Sequence, residues 1–342
     1  MLGKNNMLTI HKKLTKPKQS IVFDTYWRFA AERQQVFFNR IVNPNSPWTD
    51  DVILRLFKFT NAYRASDRVS QYLIKEVIYK GDQSPNELFF RIILFKLFNK
   101  IETWQVLERE LGVIRYSEFS FSKYDKLLTR IKKINGSIYS AAYIMASGKS
   151  AYGKEYKHQN HLMMLESMMG NQLPQEIMNF RNMQNVYNGL KKYPSIGSFL
   201  AYQLAIDINY SNLTDFTEME FVKAGPGAVD GIRKCFTHLG DYSEEDVIKI
   251  MADTQEREFK RLGISFLNLW GRPLQLIDCQ NLFCEVDKYS RIAHPEINGV
   301  SGRSRIKQKY RPTSLRPIDY FFPPKWKLNT AVLPNLTMDQ YG

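Results

Sequence analysis

The hydrophobic residues of this chain recur with helical spacing through most of its length, and this pattern constrains the fold more than any other feature. Strand signals are few, because Gly and Pro stand at the ends of segments rather than in hairpin dipeptides. One helix is expected through FDTYWRFAAERQQVFFNRI, with Asp24 as its N-cap and NPNSPWT as the break after it. Further helices are expected at 49–59, 65–78, 84–98, 103–147, 174–211, 218–238, 243–262 and 273–291. The sequence therefore predicts an all-α fold, and 44% hydrophobic residues suffice for a sizeable core.

Composition divides the chain into three parts. Residues 1–20 carry five lysines and no acid, which is typical of a flexible basic arm. Residues 21–298 form the helical body, in two halves at 21–170 and 171–298. Residues 299–342 are basic and rich in proline. Every second residue from Arg303 to Arg311 is basic, which places these charges on one side of an extended segment.

The net charge indicates the kind of partner. Lys and Arg number 48 and Asp and Glu number 34, so the formal charge is +14. An excess of this size is typical of proteins that bind a polyanion, most often nucleic acid. No apolar run approaches the ~18 residues of a membrane span, and three cysteines fit a reducing cytosol. We therefore expect a cytoplasmic protein that binds double-stranded DNA, without a membrane or an obligate protein partner.

Neither a metal nor another cofactor is expected. His158 and His161 stand three residues apart, a spacing that can place two ligands on one helix face. No nearby carboxylate or cysteine completes such a site, so a solvated helix start is the better interpretation. Cys279 and Cys284 lack the paired spacing of a zinc or iron–sulfur site.

The sharpest local motif, KYPSIGSFLAYQLA, begins at Lys192 and resembles the helix-hairpin-helix element, whose pattern is L-P-G-[IV]-G-x-x-x-A. In that element an apolar residue, here Ile196, plugs the turn, and a glycine, here Gly197, opens the second helix. The unpaired N–H groups and positive dipole end of this helix bind a DNA phosphate. Ser195 replaces the first glycine of the pattern. An ordinary corner between two helices is the alternative.

A glycine-rich turn, AGPGAVDG at 224–231, follows the hairpin. Its glycines permit positive φ and close approach of the backbone, which suits contact with a phosphate or a base edge. The residues expected to contact DNA phosphates are Ser195, Ile196, Gly197, Ser198, Gly225 and Gly227.

The residues after the hairpin bear on chemistry. In glycosylases built around this hairpin, a lysine two residues after the second glycine forms a Schiff base with the sugar. Phe199 stands there in this chain, so base removal without strand cleavage is expected. Such enzymes also place an aspartate further along, and the corresponding stretch holds Asp215 and Glu218. These two also fit as N-cap and capping-box partner of a helix TEMEFV. Asp207, on the second hairpin helix, is the other candidate.

Three further blocks accompany the hairpin and the glycine-rich turn. They are Pro47-Trp48-Thr49 with KFTNAYRASDR at 58–68, LFKLFN at 94–99 and FCEVDKY at 283–289. Together the blocks resemble the family of α-glutamyl/putrescinyl thymine pyrophosphorylases over about 21–312. Relatives of that family include the helical domain of hydroxymethyluracil DNA kinases, phage amino-acid:DNA transferases and an anti-phage glycosylase that removes glucosylated hydroxymethylcytosine. The resemblance implies a helix-hairpin-helix, glycosylase-like helical bundle that acts on 5-modified pyrimidines in phage DNA.

The block at 58–68 offers candidate pocket residues. On a helix around residue 61, Asn61, Arg64 and Arg68 would share one face, and Asp67 would hold the Arg64 guanidinium in place. Asn can read a pyrimidine edge, while Arg can grip phosphate or sugar hydroxyls as a fork. A solvent-facing stripe of salt bridges is the alternative.

The block at 283–289 offers a second set. Glu285 and Lys288 share one helix face, Asp287 stands beside them, and Tyr289 could stack on an extruded base. A carboxylate beside Lys⁺ stays ionised near neutral pH, as an electrostatic stabiliser must, so Glu285 and Asp287 are further catalytic candidates. The alternative is a buried ion pair that ties the C-terminal helix to the core.

Three functions remain open from the sequence. The first is a monofunctional DNA glycosylase that flips out a hypermodified pyrimidine, for example a glucosylated 5-hydroxymethyl one, and leaves an abasic site in phage DNA as anti-phage defence. The absence of a Schiff-base lysine and of a nucleotide-triphosphate loop favours it. The second is a transferase that replaces a 5-pyrophosphorylmethyl group on thymine with an amine or amino acid. The third is a non-catalytic DNA-binding module.

Overall fold

The computed structural model describes residues 14–43, 45–141, 146–310 and 319–331. Within these ranges the chain is mostly helical, and its strands form one small antiparallel sheet, β1 (Lys18–Gln19) with β2 (Phe236–His238), so the all-α prediction is confirmed. The helices are α1 (Val22–Val42), α2 (Val52–Leu56), α3 (Arg68–Tyr72), α4 (Pro85–Phe98), α5 (Ile101–Leu111), α6 (Phe121–Asn135), α7 (Lys149–Tyr152), α8 (Lys157–Gly170), α9 (Leu173–Asn179), α10 (Met183–Lys191), α11 (Ser198–Asn209), α12 (Pro226–Cys235), α13 (Glu244–Arg261) and α14 (Leu276–Ala293). Within the described ranges, no helix is long and apolar enough to cross a membrane.

Two expected helix starts can be compared directly with the structure. α4 begins at Pro85 after Ser84 and ends at Phe98, as expected, and nearly all of its side chains are buried. α1 begins at Val22, so Asp24 lies in its first turn instead of capping it. There the Asp24 carboxylate pairs with the guanidinium of Arg261, which ties α1 to the end of α13.

The prediction of a helix around residue 61 is wrong. Residues 57–63 are irregular, a short 3₁₀ turn covers Arg64–Ser66, and α3 starts only at Arg68. Two side chains bond the backbone in place of helical partners: Asp67 Oδ1 accepts from the N–H of Asn61 at 2.9 Å, and Asn61 Nδ2 donates to the carbonyl of Ser66 at 2.8 Å. Such local bonds compete with a helix, so Asn61, Arg64 and Arg68 do not share a helix face.

The prediction that TEMEFV, after the hairpin, forms a helix is also wrong. Residues 213–225 form a loop, and Asp215 caps nothing. The Asn209 side chain closes this loop: its Oδ1 accepts from Thr214 Oγ1 and from the N–H of Phe216, and its Nδ2 donates to the Phe216 carbonyl. One amide therefore replaces the capping box that the sequence suggested.

The glycine-rich turn packs α12 tightly against α14. Gly225 has φ −79° and is the N-cap of α12, and none of the glycines from 225 to 231 adopts positive φ, contrary to expectation. Instead, these glycines allow α12 to lie close to α14. A Cβ on Gly231 would lie 2.0 Å from the Phe283 carbonyl oxygen, and one on Gly227 would lie 3.1 Å from Cys284 Sγ. The buried pair Lys234–Asp287, at 3.0 Å, joins the same two helices.

Both basic ends contact the body where they are described. Residues 1–13, 311–318 and 332–342 lie outside the described residues, so most of the predicted arm, and Arg311, do too. Beyond residue 13, β1 pairs with β2, and the N–H of Thr15 donates to Asp241 Oδ2 at 2.8 Å. Residues 302–308 carry no regular secondary structure, and the Lys58 N–H donates to the Gln308 carbonyl at 3.0 Å.

Replacing Gly231 with Ala should destabilise the fold by about 1–3 kcal/mol, because the added methyl forces α12 away from α14. Gly170→Ala is the matched control, since Gly170 ends α8 and an added Cβ there meets nothing within 4 Å. Urea unfolding of both variants measures the difference. Equal free energies of unfolding would contradict the close contact at Gly231.

Candidate functional site

The hairpin forms the turn that its motif requires. Ser195 has φ +70°, so a serine takes the left-handed position of the missing glycine. Ile196 is buried as the plug, and Gly197 is the N-cap of α11 without a side-chain cap bond. Gly197 and Ser198 are exposed, so the N–H groups that open α11 face solvent, as a phosphate contact needs.

A second helix start lies against the hairpin. A Cβ on Gly225, the N-cap of α12, would lie 2.5 Å from the Phe199 ring, so this ring packs directly on the Gly225 backbone. Neither α11 nor α12 has an acid in its first turn. The position where hairpin glycosylases carry a lysine is thus a partly exposed aromatic ring in this chain, and the two positive helix ends meet around it.

The other half of α11 lies beside a buried ion cluster. Asp207 is fully buried and pairs through Oδ1 with Arg64 Nη2 at 2.8 Å and through Oδ2 with Lys96 Nζ at 3.2 Å. Burial lowers the pKa of Lys96 to about 8, against the opposing effect of Asp207. Lys96 Nζ also donates to Asn99 Oδ1 at 2.8 Å. Asp207 is therefore the counter-ion of two cations in the core.

Hydrogen bonds extend this cluster through the core. Arg64 Nε donates to Gln203 Oε1 at 3.0 Å, and Gln203 Nε2 donates to Gln280 Oε1 at 3.3 Å. The Arg64 N–H donates to Asp278 Oδ1 at 2.8 Å. Burial raises the pKa of Asp278 to about 7, and the nearby charge of Glu218 also raises it. The polar core therefore holds an acid that titrates near neutral pH.

A polar cavity of about 180 Å³ opens where α11 ends. Glu218 lies in it, buried, with Oε1 3.3 Å from Arg272 Nη2. Burial raises the pKa of Glu218, and Arg272 opposes that shift. The cavity is lined by Asn209, Asp215, Phe216, Thr217, Glu218, Arg272, Gln275, Lys325 and Trp326. Two predicted acids, Asp215 and Glu218, thus share one cavity, although the Asp215 side chain is 86% exposed.

Unusual backbone conformations position Arg272, a cationic residue in the wall of this cavity. Trp270 has φ +46°, a region that bulky residues rarely adopt, and Gly271 follows with φ +95°. Leu269 and Arg272 exchange backbone hydrogen bonds across this two-residue turn. The turn brings the Arg272 guanidinium 3.8 Å above the Trp326 ring. Such backbone outliers are frequent at functional sites, because the surrounding structure must offset their cost.

The hairpin and the cavity lie at opposite ends of α11. Its twelve residues span ~18 Å at ~1.5 Å each, which corresponds to roughly five steps of a DNA duplex. The exposed start of α11 and the cavity are therefore separated by the full length of this helix.

The other residues predicted at 58–68 are bound within the protein. Asn61 Oδ1 accepts from Arg33 Nη2 at 2.6 Å, and both sides of the Asn61 amide are occupied. Burial raises the pKa of Asp67 to about 6, against its hydrogen bond from the Asn61 N–H. Arg68 is exposed, with Glu102 3.8 Å away. Of this block, the structure places only Arg64 beside Asp207.

The residues predicted at 283–289 hold α14 to neighbouring segments. Glu285 Oε2 accepts from the Thr60 N–H at 3.0 Å and pairs with Lys288 at 2.6 Å. Tyr289 packs between Phe29 and Phe59, and its hydroxyl donates to Asp51 Oδ2 at 2.7 Å. Together with the buried pair of Asp287, these contacts fit the alternative of ion pairs that tie α14 to the core.

His158 and His161 are buried, so the expected solvated helix start is wrong. His158 Nε2 lies 2.8 Å from Asp125 Oδ1, and His161 Nδ1 lies 3.1 Å from the Tyr139 hydroxyl. Burial lowers the pKa of His161 to about 4. Among the described residues no group of three or more His, Cys, Asp or Glu could hold a metal ion.

Several residues at the cavity or beneath it carried no signal in the sequence. They are Lys96, Tyr202, Gln203, Asn209, Arg272, Gln275, Asp278, Lys325 and Trp326. Tyr202 is notable, since its buried hydroxyl has no hydrogen-bond partner in the described structure, and the charge of Glu218 helps raise its pKa. Lys96 lies inside the block LFKLFN, and Tyr202 and Gln203 lie inside the hairpin motif, but none of the three was predicted as a site residue.

Asp278 predicts a pH dependence of stability. Its pKa is about 7 in the folded protein against an ordinary 3.8, so between these values the folded chain holds a proton that the unfolded chain has released. The free energy of unfolding should therefore fall as pH rises from 5 to 7, by at most about 1.4 kcal/mol per unit from this group. Asp278→Asn should flatten that fall in urea titrations. Parallel pH profiles for the two proteins would contradict it.

The comparisons with known proteins agree with a DNA-related family. The model of the 5-hmdU DNA kinase helical domain matches residues 20–299. A 5-hmdU DNA kinase of Bacillus phage SP10 is 26% identical over 288 residues, which cover 78% of this chain and 45% of that protein. The chain thus spans less than half the length of this curated relative. No solved structure matches it significantly. Since the matched range covers most of the chain, the protein belongs to the family of the 5-hmdU DNA kinase helical domain.

Proposed function

We propose that this protein is an enzyme that binds double-stranded DNA, extrudes a modified pyrimidine and hydrolyses its N-glycosidic bond. The base carries a 5-hydroxymethyl group or a larger derivative of it, such as a glucosylated one. The products are the free base and an abasic site, and the biological role is defence against phages with hypermodified DNA. The finer likeness to thymine pyrophosphorylases and to an anti-phage glycosylase, which the sequence blocks suggest, supports the same class of substrate.

The observation that carries the proposal is the buried carboxylate of Glu218 in a polar cavity with Arg272. A volume of about 180 Å³ lies below the ~300 Å³ of pockets for drug-sized ligands and suits one pyrimidine ring. The 5-substituent of the base would then extend through the open side of the cavity. Similarity to a protein named 5-hmdU DNA kinase supports a 5-substituted pyrimidine as the base.

In this reaction Glu218 acts as a carboxylate. As the bond between C1′ and the base nitrogen breaks, its electron pair leaves with the base and positive charge develops on the sugar, which the carboxylate stabilises. A water then adds to C1′ and gives its proton to Glu218, which passes the proton on to the departed base, so that the free base is neutral and the carboxylate is restored. Arg272 favours the ionised form of Glu218 through their contact. Phe199, in the Schiff-base position, supplies no amine, so the strand stays intact.

Two features fit the DNA backbone. The exposed start of α11 can take one phosphate, and the strap, defined as residues 299–310, offers four more contacts. All four basic side chains of the strap are exposed, and none is ion-paired with a described carboxylate: Arg303, Arg305, Lys307 and Lys309. The strap is held on the body through its backbone, for example by the bond from the Arg291 guanidinium to the Arg305 carbonyl at 2.9 Å. Its charges are therefore left for a partner.

Replacing Glu218 with Gln should lower base release by about 10²–10⁴-fold while DNA affinity is kept. The substrates are duplexes that contain 5-hydroxymethyluracil or glucosylated hydroxymethylcytosine, and mass spectrometry measures free base and abasic sites. Glu220→Gln, in the same loop and exposed, is the matched control and should behave as wild type. Loss of activity in Asp215→Asn with retention in Glu218→Gln would move the catalytic role to Asp215.

Substituting Lys307 and Lys309 together with Ala should reduce the salt dependence of DNA binding. Each phosphate contact contributes about 0.9 to the slope of log affinity against log salt, so the slope should fall by up to about 1.8. Lys80→Ala with Arg115→Ala is the control, since these cations are paired with Glu76 and Glu118. Equal slopes in both double variants would contradict a role of the strap.

A transferase is the second candidate. A kinase acting on 5-hydroxymethyluracil would attach a phosphate to the 5-methylene oxygen, and a phosphorylated substituent is a leaving group that an amine can displace. The similarity to such a kinase favours this reading. A base adduct without abasic sites, after incubation of pyrophosphorylated DNA with an amine or amino acid, would replace the glycosylase with the transferase. DNA binding without any product would indicate that the protein is a non-catalytic DNA-binding module.

A further inference from the structure

Two walls of the cavity come from a segment beyond the family match. The matched region ends at residue 299, whereas Lys325 and Trp326 belong to the C-terminal segment, residues 319–331. Both lie on the 3₁₀ turn Pro324–Trp326, which ends at Lys327 with φ +57°. The turn is therefore held in a defined and unusual conformation next to Glu218.

This C-terminal segment is anchored in the core on both sides of the turn. Phe322 is fully buried, its ring contacts those of Trp270 and Trp326, and its N–H donates to Asn329 Oδ1 at 2.8 Å. The Phe321 N–H donates to Gln71 Oε1 at 2.8 Å. The anchor thus contacts Trp270, the residue whose positive φ turns the chain towards Arg272.

Trp326 fixes the position of the cavity's arginine. The Arg272 guanidinium lies 3.8 Å from the centre of the Trp326 ring and 3.3 Å from Glu218 Oε1. A guanidinium at this distance from an indole is held by dispersion and by cation–π attraction, both of which favour a parallel plane. The Tyr210 ring meets the edge of Trp326 at 5.5 Å and restrains it from the core side.

Lys325 fixes the loop that carries Glu218. Its Nζ donates to the carbonyl oxygens of Ser211 and Thr214, at 3.0 and 2.6 Å, and lies 3.6 Å from Asp215 Oδ1. These carbonyls belong to the start of the loop between α11 and Glu218. Lys325 therefore ties the C-terminal segment to the loop through the loop's main-chain carbonyls. Such a contact does not depend on which side chains the loop carries.

We propose that the C-terminal segment completes the candidate active site, with Trp326 as the positioning residue that holds Arg272 against Glu218 and Lys325 as the residue that fixes the catalytic loop. This proposal rests on the proposed function of the Glu218 cavity. Neither residue touches the reacting atoms. They act by limiting where Arg272 and Glu218 can lie, so that the acid and its cation are in place before DNA binds.

The test compares Trp326→Ala, Trp326→Phe and Thr330→Ala in the full chain. Thr330 is exposed in the same segment and lines no part of the cavity, which makes it the matched control. Hydrogen exchange of 209–218 and 268–272 should speed up at least tenfold in Trp326→Ala and stay as in wild type in the control. Trp326→Phe keeps a flat ring under the guanidinium and should restore most of the protection.

The second readout is the pH profile of base release. Glu218 is faced by the cations Arg272, Arg64 and Lys325 and by Tyr202 and Asp278. Loosening Arg272 removes the largest of the effects that lower the pKa of Glu218. The acidic limb of the profile should therefore move upwards by about one pH unit in Trp326→Ala and not in Trp326→Phe.

The outcomes separate this proposal from the proposed function. Faster exchange at 209–218 and 268–272 without any base release would retain the C-terminal segment as a positioning element and reject the glycosylase. Base release with unchanged exchange and an unchanged pH profile in Trp326→Ala would overturn the proposal and retain the glycosylase. If Trp326→Ala does not fold, Lys325→Met decides by exchange of 209–218 alone: protection equal to wild type overturns the proposal.

Discussion

The rest of the site depends on the ion pairs that the buried carboxylate of Asp207 forms. It pairs with both Arg64 and Lys96, two cations that are buried among apolar side chains. Arg64 in turn organises the polar core through Gln203 and Asp278. Removing one partner of such a cluster leaves an unpaired buried charge, which costs far more than the cluster contributes when intact. Asp207 is therefore better placed to hold the site together than to react with a substrate.

Sequence reasoning succeeded where the determinants are local. The boundaries of α4 follow from Ser84, Pro85 and the apolar run after them. The hairpin follows from a short motif, and Ser195 keeps the left-handed conformation that a glycine would have supplied. It failed at Asn61 and Asn209, whose side-chain amides bond the backbone and replace helical bonds. Whether an amide points to its own loop or to solvent depends on its neighbours in space, which the sequence alone does not reveal.

The site itself was predicted only in part for a related reason. Glu218 was singled out because it follows the hairpin at a suggestive distance, but the residues that surround it include some from two other segments. Arg272 reaches the cavity through a turn with an unusual Trp270, and Trp326 arrives from the C-terminal segment. No periodicity or spacing connects these positions along the chain. Conversely, Tyr289 and Glu285 are residue types that suit chemistry, and in the structure both hold α14 to neighbouring segments.

The anchoring of the C-terminal segment also has a consequence for biosynthesis. The hydrogen bond between Phe321 and Gln71 joins residues 250 positions apart. During translation α1–α14 can begin to pack while the ribosome still holds the residues that wall the cavity. A nascent chain would thus bear the hairpin before the cavity is complete. Contacts of such long range form late, so the part of the cavity wall that Lys325 and Trp326 supply would be among the last parts of the described structure to form.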